Sequence, residues 1–356
     1  MGKNSWIRVL IPIVSVLIAL LIASIIIIWV GQGSFIERLQ FLVTAYSEMI
    51  KGAFGSVSAF MNTIIKMSPL ILTGLAVGFG FRAGVFNIGA EGQMAMGALT
   101  ASIFAVNASA LPMVIAIPMT IIVGMLAGAV WAGIAGFLKA KTGAHEVITT
   151  IMLNWIAYNI TNWAVAGPFN SGGGTPKSPE IAESTKLPNV VSSQATFLSY
   201  GIFIAIAAAI IMYVILYRTS MGYEVKAVGF NPFASEYGGI NVSKNIIITM
   251  AISGALAGLA GTLESIGLYY RFYGTLTSGK GFDGISIALI GQNNPFGIIA
   301  ASLLIGGLRT GSNQMQFVGV PKHIVTIIQS IIIFLVAAER IVMTIMGWNK
   351  KKGGSK

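Results

Sequence analysis

The chain alternates long apolar runs with short polar breaks. A membrane-spanning helix needs about 20 mostly apolar residues. About ten such spans can be placed, at 7–30, 58–80, 84–106, 111–138, 146–167, 198–217, 245–268, 282–294, 296–312 and 323–347, and the eighth is short and broken. Between the first two lies "FIERLQFLVTAYSEMIKGAF". Its apolar and charged positions alternate at helical spacing, which predicts an amphipathic helix along the membrane interface. The pattern therefore predicts an all-α polytopic membrane protein, with 1–356 as a single transmembrane domain.

Two breaks are longer than a turn requires. Residues 168–197 are rich in Pro, Gly and Ser and are placed outside the cell. Residues 218–244 form the largest cytosolic segment and contain a short helix-like stretch bounded by Gly229 and by Gly238-Gly239. Basic residues collect in loops on the cytosolic side. With the N-terminus inside, Lys3, Arg8, Arg82, Lys139, Lys141, Arg218, Lys226 and Lys244 are cytosolic, as are Lys350, Lys351, Lys352 and Lys356. Fewer lie outside, so both termini are expected in the cytosol.

Composition agrees. Residues are 55% hydrophobic and only 9% charged, against about 25% charged in soluble domains. Mean hydropathy is +0.82. Little sequence remains for a soluble catalytic domain, so any ATP-hydrolysing part is expected on another chain. The formal charge of +11 would raise nucleic acid as a partner for a soluble protein. Here the basic residues serve to fix orientation, and no nucleic-acid partner is expected. Cysteine is absent, so disulfides and thiolate metal sites are excluded. His145 and His323 are far apart and no HExxH occurs, so no metal site is expected. The apolar run after Lys3 and Arg8 exceeds the h-region of a signal peptide and reads as a retained first span.

Polar residues inside such spans are the candidates for chemistry. Glu91 stands nine residues past Arg82, the expected cytosolic edge. On a continuous helix that is roughly 14 Å into a ~30 Å apolar layer, where an unpartnered carboxylate costs several kcal/mol. Asn87 lies one turn away, and Gly84, Gly89, Gly92 and Gly97 permit close helix approach or a break. Two readings stand. Asn87, Glu91 and Gln93 surround a translocation path or its gate, or Glu91 is a buried tie that accepts hydrogen bonds from a neighbouring helix terminus. Asn154 and Asn159 interrupt "HEVITTIMLNWIAYN", Asn154 being a further candidate for the path or gate, and Glu264 sits late in the seventh span. Gln292 and Asn293, in "GQNNPFG", either line a cavity or form a tight cytosolic turn; the Asn-Asn-Pro sequence favours the turn.

"GVFNIGAEGQ" at 84–93 is echoed by "GFDGISIALIGQ" at 281–292. Internal duplication is common in transporters, so two pseudo-repeated halves are expected, at about 58–167 and 245–346. "GTLTSGKG" at 274–281 fails as a phosphate loop because Gly281 replaces the hydroxyl residue and no strand precedes it. "GALAG" at 254–258 and "GGLRTG" at 306–311 carry GxxxG spacings suited to helix packing within the chain.

The stretches "GVFNIGAEGQMAMGAL", "HEVITTIMLNWIA", "GYEVKAVGFNPFASEYGGI" and "SGKGFDGISIALIGQNNPFG" resemble the permease subunits of bacterial nucleoside ABC importers, within the larger ribose and branched-chain amino acid permease group. The resemblance covers about 58–346. It implies a permease in the bacterial plasma membrane, paired with a second permease that is often a different chain. A cytosolic ABC ATPase would carry the ATP and Mg, with no cofactor on this chain, and an extracellular substrate-binding lipoprotein would deliver a nucleoside. It also implies a coupling helix that docks into the ATPase, falling here on Asn231, Pro232, Phe233, Ala234, Glu236, Tyr237, Gly238 and Gly239. The remaining alternatives are a sugar or branched-chain amino acid cargo, and a proton-coupled secondary transporter that uses Glu91.

Overall fold

The computed structural model describes residues 4–192, 197–274, 276–321 and 323–337. The end of the last expected span, with Arg340 and the Lys350, Lys351, Lys352 and Lys356 group, lies outside the described residues, as do Lys3 and Lys322. The helices are α1 (Asn4–Val30), α2 (Phe35–Phe54), α3 (Val57–Arg82), α4 (Ala90–Asn107), α5 (Met113–Thr142), α6 (Glu146–Ala166), α7 (Gly201–Arg218), α8 (Ser220–Phe230), α9 (Pro232–Tyr237), α10 (Val242–Glu264), α11 (Lys280–Ile290), α12 (Pro295–Phe317) and α13 (His323–Ala337). A π-helical turn, Ser265–Tyr269, extends α10.

Among the described residues, 5 helices are long and apolar enough to cross a membrane: Pro12–Val30, Val57–Arg82, Met113–Thr142, Gly201–Arg218 and Val242–Tyr269. Helices α4, α6 and α11 fall outside that set because they are shorter or carry interior polar residues.

The chain forms two compact units, one of 64–303 and one of 1–63 with 304–356. In the larger, α4, α5 and α10 are the core. Their contact is made by glycine. A Cβ on Gly254 or Gly258 of α10 would run into the carbonyls of Gly128 and Gly124 on α5, and a Cβ on Gly97 of α4 would meet Gly258. Both helices thus present a glycine pair at GxxxG spacing, and their backbones touch with no side chain between them. This is the packing expected for "GALAG". The outer face of α5 is exposed and apolar, with Val114, Leu126 and Val130, as a lipid-facing helix requires.

In the smaller unit, α1 packs on α13 and on α2. Gly31 lies against Arg38 and Phe41. Further along, the Tyr46 hydroxyl donates to the Leu20 carbonyl at 2.6 Å. As numbers rise on α2 they fall on α1, so the two helices run antiparallel. The expected interfacial helix is instead the second arm of a hairpin, because the turn at 31–34 is short and a Ser34–Glu37 capping box starts α2 at once. Gly307 and Gly311 of "GGLRTG" admit Phe54 and Met49 of α2.

Three other expectations shift. Residues 83–89 are not helical, so the helix expected from 84 begins at Ala90. Where a broken eighth span is expected, α11 ends at Ile290 and is followed by a turn. The fold is not wholly helical either: the stretch leading into α7 carries a small antiparallel pair, β1 (Asn189–Ser192) and β2 (Phe197–Ser199).

Candidate functional site

Helix α3 stops where Gly84 turns left-handed, at φ 71. The Val85 N–H donates to the Gly80 carbonyl and the Gly84 N–H to the Phe81 carbonyl, at 3.0 and 3.2 Å. That is a Schellman end, which a glycine adopts without strain. The helical rise assumed between Arg82 and Glu91 therefore does not apply.

The chain then crosses to α4 through a buried polar knot. Asn87 is fully buried and fully used. Its Nδ2 donates to Gln93 Oε1 (2.9 Å) and to Ser253 Oγ of α10 (2.8 Å). Its Oδ1 accepts from the Gly89 N–H and from Gln93 Nε2, both at 2.9 Å. Two donors and two acceptors exhaust an amide's capacity. Asn154 of α6 closes the knot from the other side. Its Oδ1 accepts from the Gly92 N–H at 2.8 Å and its Nδ2 donates to the Ile88 carbonyl at 3.0 Å. It thus satisfies one of the orphan amides that every helix N-terminus leaves.

Glu91, also fully buried, points the other way. Its Oε1 accepts from the Tyr158 hydroxyl (2.9 Å) and the Gly279 N–H (2.8 Å), and its Oε2 from the Gly281 N–H (2.6 Å). Gly281 lies so close to the Ala90–Glu91 backbone that no side chain fits there. The N-termini of α4 and α11 therefore abut, and one carboxylate on the first turn of α4 caps α11. Beside it Lys280 pairs with Glu264 of α10 at 2.8 Å, both largely buried. Negative charge at two helix N-termini is electrostatically favourable.

Of the residues expected at one path or gate, the structure brings together Asn87, Glu91, Gln93 and Asn154. It does not bring Gln292 and Asn293 with them. These lie past the opposite end of α11, a helix of 11 residues and so roughly 16 Å long. They form the tight turn with φ 54 and 53, and Arg82 donates to both of their carbonyls, each at 3.1 Å. Among the described residues, Asn159 bonds back to its own helix, at Trp155 O. Tyr158, Gly279 and Gly281 were missed by the sequence reading. The signal for Tyr158 is its place four residues after Asn154, on the same helical face.

The 218–244 segment holds two helices. Asn231 caps α9, accepting from the Ala234 N–H at 3.1 Å, and Pro232 fills the first turn. Gly239, at φ 83, ends it. Phe233 is 77% and Tyr237 97% exposed, with Phe230 beside them at 90%. The three rings are thus left uncovered by the rest of the chain.

On the expected outer side, segment 177–187 runs along 266–273. The Ser178, Ile181 and Leu187 amides donate to the carbonyls of Phe272, Tyr270 and Ile266. Glu180 pairs with Lys186 at 2.7 Å and with Arg271 at 2.8 Å. The Lys186 ammonium, and then Arg271, hold the Glu180 carboxyl below the usual carboxylate range. Glu180 and Glu183 hold the Lys186 ammonium above its usual value.

The family described as branched-chain amino acid transport system / permease component matches residues 59–337. The chain is similar to the guanosine ABC transporter permease protein NupP of Bacillus subtilis, 39% identical over 353 residues, 98% of each chain. It is also similar to the nucleoside ABC transporter permease protein NupB of Lactococcus lactis, 34% identical over 96% of this chain and 93% of that one. The glucose ABC transporter permease protein TsgB13 of Haloferax volcanii is 33% identical over 94% of this chain and 89% of its own length. No solved structure matches.

Proposed function

The chain belongs to the branched-chain amino acid transport system / permease component family, and from that premise we propose that it is the membrane-spanning permease of an ATP-driven importer of nucleosides. The observation that carries this reading is the likeness, over nearly the whole length of each chain, to two permeases named for nucleosides. It works in a bacterial plasma membrane, crosses it about ten times with both termini in the cytosol, and does so as one permease domain with two pseudo-repeated halves. A second permease stands beside it. A separate ATPase binds and hydrolyses ATP with Mg, and a lipoprotein outside delivers cargo to the 168–197 segment.

Helix α9 is the coupling helix. Its capped geometry and the exposed rings of Phe233 and Tyr237 support that reading. The knot of Asn87, Gln93 and Asn154 with the Glu91 cap forms the gate: it fixes where two half-helices meet, so closure of the ATPases can rock them together. A proton-coupled mechanism at Glu91 finds less support, because the carboxylate is spent on two backbone amides and a tyrosine hydroxyl, the geometry of a helix cap. A sugar cargo is the second reading, favoured by the glucose permease likeness.

Replacing Phe233 and Tyr237 together by alanine is expected to lower recovery of the ATPase with the tagged permease, and to cut uptake about ten-fold. Unchanged recovery and uptake would refute coupling at α9. Competition of labelled guanosine uptake by unlabelled nucleosides and by glucose decides the cargo class; displacement by glucose alone would overturn the nucleoside reading.

A further inference from the structure

Arg82 and Glu91 flank the non-helical stretch 83–89, and each holds one end of the same helix. Glu91 accepts from the amides of Gly279 and Gly281 where α11 begins. Arg82 donates from Nε to the Asn293 carbonyl and from a terminal nitrogen to the Gln292 carbonyl just past where it ends. A guanidinium presents its donors as a rigid fork, so it can hold two carbonyls at once. The same terminal nitrogen reaches the Tyr217 hydroxyl of α7 at 3.4 Å. An anion at the N-terminus and a cation at the C-terminus complement the helix dipole. Helix α11 is thus gripped at both ends by residues bracketing one short piece of chain.

The backbone of Arg82 also lies beneath α8. A Cβ added to Gly229 would strike the Arg82 carbonyl oxygen, and one added to Gly84 would come within 3.2 Å of the Gly229 Cα. Gly229 stands two residues before Asn231, the cap of α9. The end of α8 therefore rests directly on the residue that grips α11.

We propose that Arg82 is the positioning residue that transmits displacement of α9 to α11, and through α11 to the Glu91 cap. The proposal rests on the coupling reading of α9. It assigns Arg82 a role beyond marking a membrane edge. It also accounts for Gln292 and Asn293, whose backbone rather than side chains is gripped.

The test uses the whole importer in proteoliposomes, with uptake of radiolabelled guanosine (or glucose, if the wild-type complex takes that up instead) and ATP hydrolysis measured in the same vesicles. Arg82→Gln is expected to lower uptake per ATP hydrolysed roughly ten-fold, within the span of ordinary coupling free energies. Arg82→Lys keeps the charge but loses the fork and should fall between. Gly229→Ala disturbs the same contact from the α8 side; it should lower the ratio too, and adding it to Arg82→Gln should lower it little further. An unchanged ratio in Arg82→Gln overturns the proposal. So do uptake and hydrolysis that fall together in proportion to lost complex, the mark of a purely structural residue. Should Arg82→Gln fail to assemble, the ratio in Gly229→Ala decides: unchanged, it overturns the proposal. The Phe233 and Tyr237 alanine variant separates the two readings. If it leaves uptake intact, coupling at α9 fails. If it lowers uptake while Arg82→Gln leaves uptake per ATP hydrolysed unchanged, only the role of Arg82 fails.

Discussion

A carboxylate in an apolar layer has to be neutralised, solvated or bonded, and Glu91 is bonded. The need for a partner could be read from the sequence, because the cost of an isolated charge there does not depend on the fold. The partner itself could not be read, because Gly279 and Gly281 are far away in sequence and supply backbone amides, which every residue carries. Of the two readings of Glu91 left open by the sequence, the geometry is that of the tie, a carboxylate accepting from a neighbouring helix terminus. Glu91→Ala would leave the buried Gly281 amide and the half-buried Gly279 amide without acceptors, so a loss of roughly 3 kcal/mol is expected, read as a lower thermal midpoint in detergent. Glu180 offers a different test, on an exposed site. Its carboxyl is held low by Lys186, so its contribution is full above the ordinary carboxylate value and is lost as pH falls through the lowered one. Lys186 is held high, so its contribution is full below the ordinary lysine value and is lost as pH rises through the raised one. Amide exchange at Ile181 and Leu187, corrected for intrinsic rates, should therefore be slowest near neutrality and faster in acid. Added salt should also quicken it, since exposed pairs are screened. Exchange that is indifferent to both would show that the ion pairs do not hold the segment.

At the level of helices, hydropathy located nearly every element but erred where backbone geometry decides. Residues 84–89 are as apolar as a span, yet Gly84 in a left-handed turn ends α3 and delays α4 to Ala90. Helix α2 has an amphipathic pattern suited to an interface, yet the short turn at 31–34 folds it against α1. Pattern reports which face is apolar; it does not report the direction of the axis. The glycine pairs were more legible, since a GxxxG spacing on α10 has few uses besides close approach. Gly258→Ala sets a methyl against the carbonyl of Gly124. Backbone cannot yield as a side chain can, so about 3 kcal/mol of destabilisation is expected, with less folded protein recovered. Gly133→Ala, on the same α5 but with nothing within 4 Å, should be neutral or slightly stabilising. Equal effects from the two would mean that the α5–α10 crossing is looser than it looks.

For the molecule as a whole, membership of the membrane class was legible from composition alone, because a chain 55% hydrophobic and 9% charged has no soluble core to build. Cargo was not, since a nucleoside or a sugar is recognised by a few hydrogen bonds that any apolar bundle can host. The exposed rings of α9 carry one more implication. Phe233 and Tyr237 are left uncovered by this chain, and bare aromatic surface is what cellular quality control recognises. On the coupling reading proposed for α9, this subunit made in a cell without an ATPase leaves those rings open to surveillance proteases. Its half-life in a pulse-chase should lengthen when the ATPase is co-expressed, and should become indifferent to co-expression once both rings are trimmed to alanine.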